Sequence, residues 1–283
     1  MAEPRYQIRP MSRQEAGLAV EWAAREGWNP GLHDMDSFYQ ADPEGFLLGL
    51  LDGQPIACIS VVKYGDDFGF LGFYIVTPPF RGQGHGLRLW QAGMARLAGR
   101  NVGLDGVVAQ QDNYRKSGFV LACQNARYEG RVAGGLSEPE GLVAFPAMPF
   151  EAFADYDRDC FPAERARFLR GWLAQTGSVT LGVRQGSRLA GYGVIRPCRS
   201  GYKVGPLFAD DESQAELLLQ ALLNRATPGA PFYLDVPSVN AAAVALAERR
   251  GMQVVFNTAR MYTGRPPELA VGRMFGITSF ELG

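Results

Sequence analysis

From Phe46 to Val76 the sequence reads as three consecutive strands separated by two tight turns, and this meander constrains the fold more than any other stretch. Phe46–Leu51 is an apolar run, Asp52-Gly53 is a hairpin turn pair, Ile56–Tyr64 is a second run, Gly65-Asp66-Asp67 turns again, and Phe68–Val76 follows. Tight turns join antiparallel neighbours, so the sheet is antiparallel here. Helical patterns flank it. Ser12 with Glu15 three residues later is a capping-box signature that opens an amphipathic helix to about Glu26, and a shorter helical piece covers Met35–Ala41. The third strand runs into the glycine-rich loop Thr77–Gly86, after which Leu87, Trp90, Met94 and Leu97 recur at helical spacing to about Arg100. The loop therefore joins a strand to a helix.

The order repeats. With 283 residues the chain is long for one α/β unit, and a shift of 133 positions lays Leu47–Gln54 on Thr180–Ser187, each a strand ending in a glycine turn. Leu104-Asp105 corresponds to Leu234-Asp235 and Gly118-Phe119 to Gly251-Met252, while helical patterns at Ala163–Gln175 and Ser213–Arg225 fill equivalent places. The expectation is two tandem domains, 1–140 and 141–283, joined through the Gly/Pro-rich stretch Gly134–Pro149.

Twenty-eight basic against twenty-nine acidic side chains leave a net charge of −1, which lacks the electrostatic footprint of a general nucleic-acid binder. No apolar run is long enough to span a membrane, and the first residues lack an apolar signal core, so a cytoplasmic protein without membrane partners is expected. The four cysteines have no C-x-x-C spacing, and two histidines support neither a histidine-rich metal site nor a Ser-His-Asp hydrolase; no metal is expected.

The chemistry concentrates at Arg81-Gly82-Gln83-Gly84-His85-Gly86. Glycines at the mouth of a helix let backbone N–H groups and the helix dipole meet an anionic phosphate, although a turn with a helix cap has the same composition. Leu87 stands where a Rossmann fingerprint needs glycine, and a P-loop Gly-Lys-Ser/Thr is missing. In the second half the loop position reads Ala209-Asp210-Asp211-Glu212-Ser213, whose carboxylates repel a phosphate.

A meander whose last strand enters R-x-x-G-x-G and then a helix resembles the GNAT superfamily of acyl-CoA-dependent N-acetyltransferases, with the best match over Phe68–Leu97. The resemblance implies an α/β (α+β) fold of two tandem domains, each with a mostly antiparallel mixed central sheet flanked by helices. It also implies acetyl-CoA as cosubstrate. The backbone of Arg81, Gly82, Gln83, Gly84, His85, Gly86 and Leu87 binds its pyrophosphate, and the strand edge at Ile75 and Val76 pairs with its pantetheine arm. A second family mark fits Tyr114-Arg115-Lys116-Ser117-Gly118-Phe119, and makes Tyr114 the acid that protonates the departing thiolate. Three residues fewer precede Gly118 than precede Gly251, so the helix carrying Tyr114 must be short, and Ala247 occupies the equivalent position in the second half.

The acceptor, a primary amine on a small molecule or peptide, is expected near Trp28, His33 and Asp34, with Asp157, Asp159 and Arg165 facing them from the other domain. All of these side chains can equally be structural. Phe68–Val76 holds no carboxylate, so water, Asp34 or Asp36 must take the amine's proton. Cys123 reads as a core cysteine rather than an acyl carrier. The alternative to an enzyme is a module that senses acyl-CoA without turnover, and the oligomeric state is open.

Overall fold

The computed structural model describes residues 5–134 and 141–283; the expected boundary at 140/141 abuts residues 135–140, outside the described residues. The first half contains β1 (Tyr6–Pro10), α1 (Ala16–Arg25), α2 (Asp34–Ala41), β2 (Phe46–Leu51), β3 (Gln54–Tyr64), β4 (Phe68–Val76), α3 (His85–Arg96), β5 (Asn101–Val107), α4 (Gln111–Lys116) and β6 (Val120–Arg131). The second repeats the order as β7 (Leu142–Ala144), α5 (Phe150–Arg158), α6 (Ala166–Leu173), β8 (Val179–Gln185), β9 (Arg188–Pro197), β10 (Tyr202–Ala209), α7 (Glu212–Leu223), β11 (Pro231–Pro237), α8 (Ala241–Arg249) and β12 (Gln253–Tyr262). A thirteenth strand, β13 (Met274–Gly276), has no counterpart in the first half.

Local chemistry accounts for where the helices begin and end. The capping box forms, with Ser12 N donating to Glu15 Oε2 (2.9 Å) and Glu15 N to Ser12 Oγ (3.3 Å), yet it holds residues 12–15 as a turn, so α1 starts at Ala16 rather than Ser12. Helix α4 spans six residues against nine in α8, which accommodates the three-residue deficit before Gly118.

All strands join one sheet in the order β1-β2-β3-β4-β5-β12-β6-β11-β10-β9-β8-β7, with β13 beside β10. The halves exchange their last strands: β12 completes the first half beside β5, and β6 pairs with β11 and β12. Two buried ion pairs set this register. Asp105 on β5 faces Arg260 on β12, and the repeat-related Asp235 on β11 faces Arg127 on β6.

Helices α3 and α4 cover one face of the first half through Leu89, Trp90 and Tyr114, and α7 and α8 cover the same part of the second through Leu218, Leu222 and Leu246. The remaining helices share one core. There Phe38 of α2 stacks on Trp172 of α6 at 5.5 Å, so equivalent helices of the repeat pack against each other. Burial of side chains this size stabilises by roughly 1.5–3 kcal/mol each.

Candidate active site

Strands β4 and β5 run parallel only as far as Leu71 and Leu104, and beyond that point they separate. A β-bulge contributes to the splay. Between Gly72 and Ile75, β4 has one residue more than β3 opposite it, and Phe73 sits at φ 45°, a left-handed conformation that a bulky residue adopts only under constraint. Its ring is anchored against Phe38 and Phe46 in the shared core. Past the bulge, Thr77 N donates to Ile56 O (2.9 Å), so by strand alternation the amide and carbonyl of Val76 face away from β3 toward the gap. Arg81 Nε donates to that carbonyl (2.8 Å), and the same guanidinium pairs with Glu26.

The gap opens into a cavity of about 610 Å³. Its walls include Ile75, Val76, Arg81, Gly82, Gly84, Gly86 and Leu87, together with Trp28 and Tyr114. Gln83 and His85 belong to the same loop but turn elsewhere: Gln83 donates to Pro79 O (2.9 Å), and His85 packs on Tyr6. Gly82 and Gly84 have φ 74° and 83°, which favour glycine, and the space beyond both Cα atoms is open. The first backbone bond of α3 runs from Arg88 N to Gly84 O, no side chain caps the helix, and its first turn holds no acid. Its leading N–H groups are therefore available to an anion.

The corresponding helix of the second half is closed. Asp211 caps α7 by accepting from Gln214 N (2.9 Å) and Ser213 Oγ (2.7 Å), bonds that hold its carboxyl below the usual range. Asp210 accepts from Tyr156 and Arg188. The gap between β10 and β11 is also filled, because β13 pairs with β10 there and Ile277 N donates to Asp235 O (2.8 Å).

Tyr114 is almost fully buried, stacked on Trp90 at 5.7 Å and against Gly106, where a Cβ would lie 2.1 Å from its ring. Burial pushes its phenol up to about 12, and a second phenol in the cavity, Tyr74, is raised by the same cause.

The structure does not bring His33, Asp34 or Asp159 to this cavity. Asp34 is buried in an ion pair with Arg196 (2.9 Å) and also accepts from Gly31 N and Gln175. Asp36 pairs with Arg13, Asp159 with Arg273, and Asp157 with Arg165 in a buried pair of 2.7 Å. What sequence reasoning missed are residues supplied by strand exchange and by the segment after β13: Arg127, Phe256, Thr258, Phe280 and Glu281 also line the cavity. Only the repeat-related Arg127 and Arg260 carried a signal, as cations at matching positions of the repeat.

Among the described residues no helix is long and apolar enough to cross a membrane. The family model for the acetyltransferase (GNAT) family matches residues 15–120, and that for the acetyltransferase (GNAT) domain matches residues 153–276. Holothin acyltransferase of Pseudoalteromonas sp. (strain SANK 73390) is 32% identical over 275 residues, covering 97% of this chain and 94% of that protein. In fold the chain resembles a Pyrococcus horikoshii protein assigned as an acetyltransferase, with a TM-score of 0.84, 22% identity, and coverage of 98% of this chain and 96% of that one. A tandem GNAT protein from the clavulanic acid biosynthesis pathway has a TM-score of 0.65 at 14% identity, covering 93% of this chain and 100% of its own. The chain belongs to the GNAT family of acyltransferases, in its tandem two-domain form.

Proposed function

We propose that this protein moves an acetyl group from acetyl-CoA to the primary amine of a small molecule or peptide, by direct attack with both substrates bound. The observation that carries this reading is that one cavity joins an uncapped helix N-terminus, a splayed strand edge and a buried phenol. The N–H groups of residues 84–87 receive the pyrophosphate, with Gly82 and Gly84 leaving room for it. The free edge of β4 takes the pantetheine arm as an added strand, and the outward Val76 N–H polarises the thioester carbonyl.

Tyr114 holds its proton at any physiological pH, so it serves as a donor rather than a base. A phenol this weakly acidic gives up its proton most readily to a thiolate as poorly solvated as itself, so in this reading the departing sulfur sits against the buried wall that holds Tyr114. The acceptor is a small amine in the first instance, and holothin is the compound to try first because the relative of similar length is named for it.

Calorimetric titration with acetyl-CoA and with CoA tests the reading. One site of micromolar affinity is expected in the parent and none in Gly84→Glu, whose side chain puts bulk and negative charge into the loop. Absence of binding by the parent refutes the coenzyme assignment; unchanged affinity in the variant refutes the loop assignment.

A further inference from the structure

The groove assigned above to coenzyme in the first half is, in the second, occupied by the chain itself. Gly276 on β13 is fitted so tightly between β10 and β11 that a Cβ there would lie 2.5 Å from Leu234 Cδ1 and 3.3 Å from Leu207 Cβ. From this seat the chain crosses to the first half, where the backbone of Glu281 packs against Gly72 at the edge of the β4 bulge. A Cβ on Gly72 would lie 2.1 Å from Glu281 O. Tyr64 Oη donates to Leu282 O (3.2 Å) and Arg165 Nη1 to Gly283 O (2.9 Å), which fixes the two residues that follow that contact.

The segment delivers Phe280 and Glu281 to the cavity. Among the described residues three carboxylates line that cavity, and two are engaged: Glu26 pairs with Arg81, while Asp105 accepts from Arg260 and Asn125. Glu281 is only 4% exposed, yet it has no side-chain hydrogen bond or ion pair among the described residues. Its charged neighbours are Arg127, already committed to Asp235 and Trp28 O, and Lys203, which donates to Trp28 O. Thr258, 1% exposed, lines the same cavity from the exchanged strand β12, and its Oγ1 has no hydrogen-bond partner. An unengaged carboxylate and an unsatisfied hydroxyl on the lining of one cavity are groups that a polar ligand or an ordered water there would satisfy.

We infer that Glu281 takes the proton lost by the acceptor nitrogen, and that the closed groove of the second half is the holder that brings Glu281 to the first half's active site. The inference rests on the acetyl-transfer reading above. As the nitrogen of the amine bonds to the thioester carbonyl carbon, its proton passes to the Glu281 carboxylate. The C–S bond then breaks and the sulfur takes a proton from Tyr114. Solvent returns a proton from Glu281 to Tyr114, so the net products are the amide and CoA thiol.

The test is Glu281→Gln in the full chain, with acetyl-CoA affinity read by calorimetry and CoA release read with a thiol reagent. The acceptors are a panel of primary amines beginning with holothin. The expected result is a fall in kcat of about 100-fold or more, with acetyl-CoA affinity within twofold of the parent, and partial recovery in Glu281→Asp, which keeps the charge. A kcat within threefold of the parent, with affinity retained, overturns the inference and leaves the coenzyme site standing. If Glu281→Gln fails to fold, Glu281→Asp decides: an unchanged kcat overturns the role, and a loss of about tenfold with affinity retained supports it. Release of no CoA by the parent with any amine overturns the proposed function itself, and this inference with it.

Discussion

Replacing Arg260 with methionine removes the cation that ties the exchanged strand β12 to β5. Arg260 Nε and Nη2 donate to the two oxygens of Asp105 at 2.8 and 2.6 Å, and both side chains are under a tenth exposed. Burial already pushes the Asp105 carboxyl up against the pull of Arg260. Its repeat partner Asp235 is instead held below the usual carboxylate range, because Lys203 and Arg196 lie near it in addition to Arg127. Without Arg260, Asp105 keeps one hydrogen bond from Asn125 (2.7 Å) and is otherwise an unpaired, buried carboxylate in the cavity wall. Removing one partner of a buried pair costs about 3–5 kcal/mol. Proton uptake by Asp105 places this site toward the lower part of that range. At about 2 °C per kcal/mol for a chain of this size, the midpoint of thermal unfolding falls by roughly 6–8 °C. Urea titration and calorimetry measure it. The double variant Asp105→Leu/Arg260→Met removes both charges and is expected to recover most of the loss, since an apolar pair in the same space avoids the desolvation cost. A single variant that loses less than about 1 kcal/mol, or a double variant no more stable than the single, refutes the argument that this pair holds the exchanged strand.

Two further outcomes follow from the site and its surroundings. Tyr114→Phe should lower kcat by about tenfold or more while leaving acetyl-CoA affinity within twofold, because the ring still packs on Trp90 and only the proton is lost; unchanged turnover removes the acid role. Burial pushes the Lys203 ammonium down to about 8 from 10.5, so between those values the unfolded chain binds more protons than the folded one and stability rises with pH. Relative to Lys203→Met, the parent should gain up to about 3 kcal/mol between pH 8 and 10.5, buried tyrosines cancelling in the difference; a flat difference refutes the lysine's low proton affinity.

The meander, the loop and the helix behind it were legible because each depends on neighbours in sequence. Continuous apolar runs bounded by turns, the turn pair Asp52-Gly53 and the spacing of Leu87, Trp90, Met94 and Leu97 specify local structure with little help from the rest of the chain. The repeat was legible as well, and with it the contrast between a glycine loop at residues 81–86 and acids at residues 210–212. Of the acceptor-side residues, Trp28 lines the cavity, while His33, Asp34 and Asp159 lie elsewhere for a different reason. Asp34 sits beside Trp28 in sequence, but Arg196, 162 residues later, captures its carboxylate in the core.

By itself the sequence determined two copies of one α/β unit and which copy presents an open helix N-terminus. Only the tertiary structure decided that β6 and β12 change places. In a repeat the two last strands have like patterns, so local sequence does not choose between the sheets, and Asp105 and Asp235 each pair with the other copy's arginine. It also decided that β13 fills the second groove and that Glu281 reaches the first. The Glu281 contact joins residues some two hundred positions apart and those of β13 link separate elements, and steric fit at Gly72 and Gly276 selects them rather than any local preference of the chain.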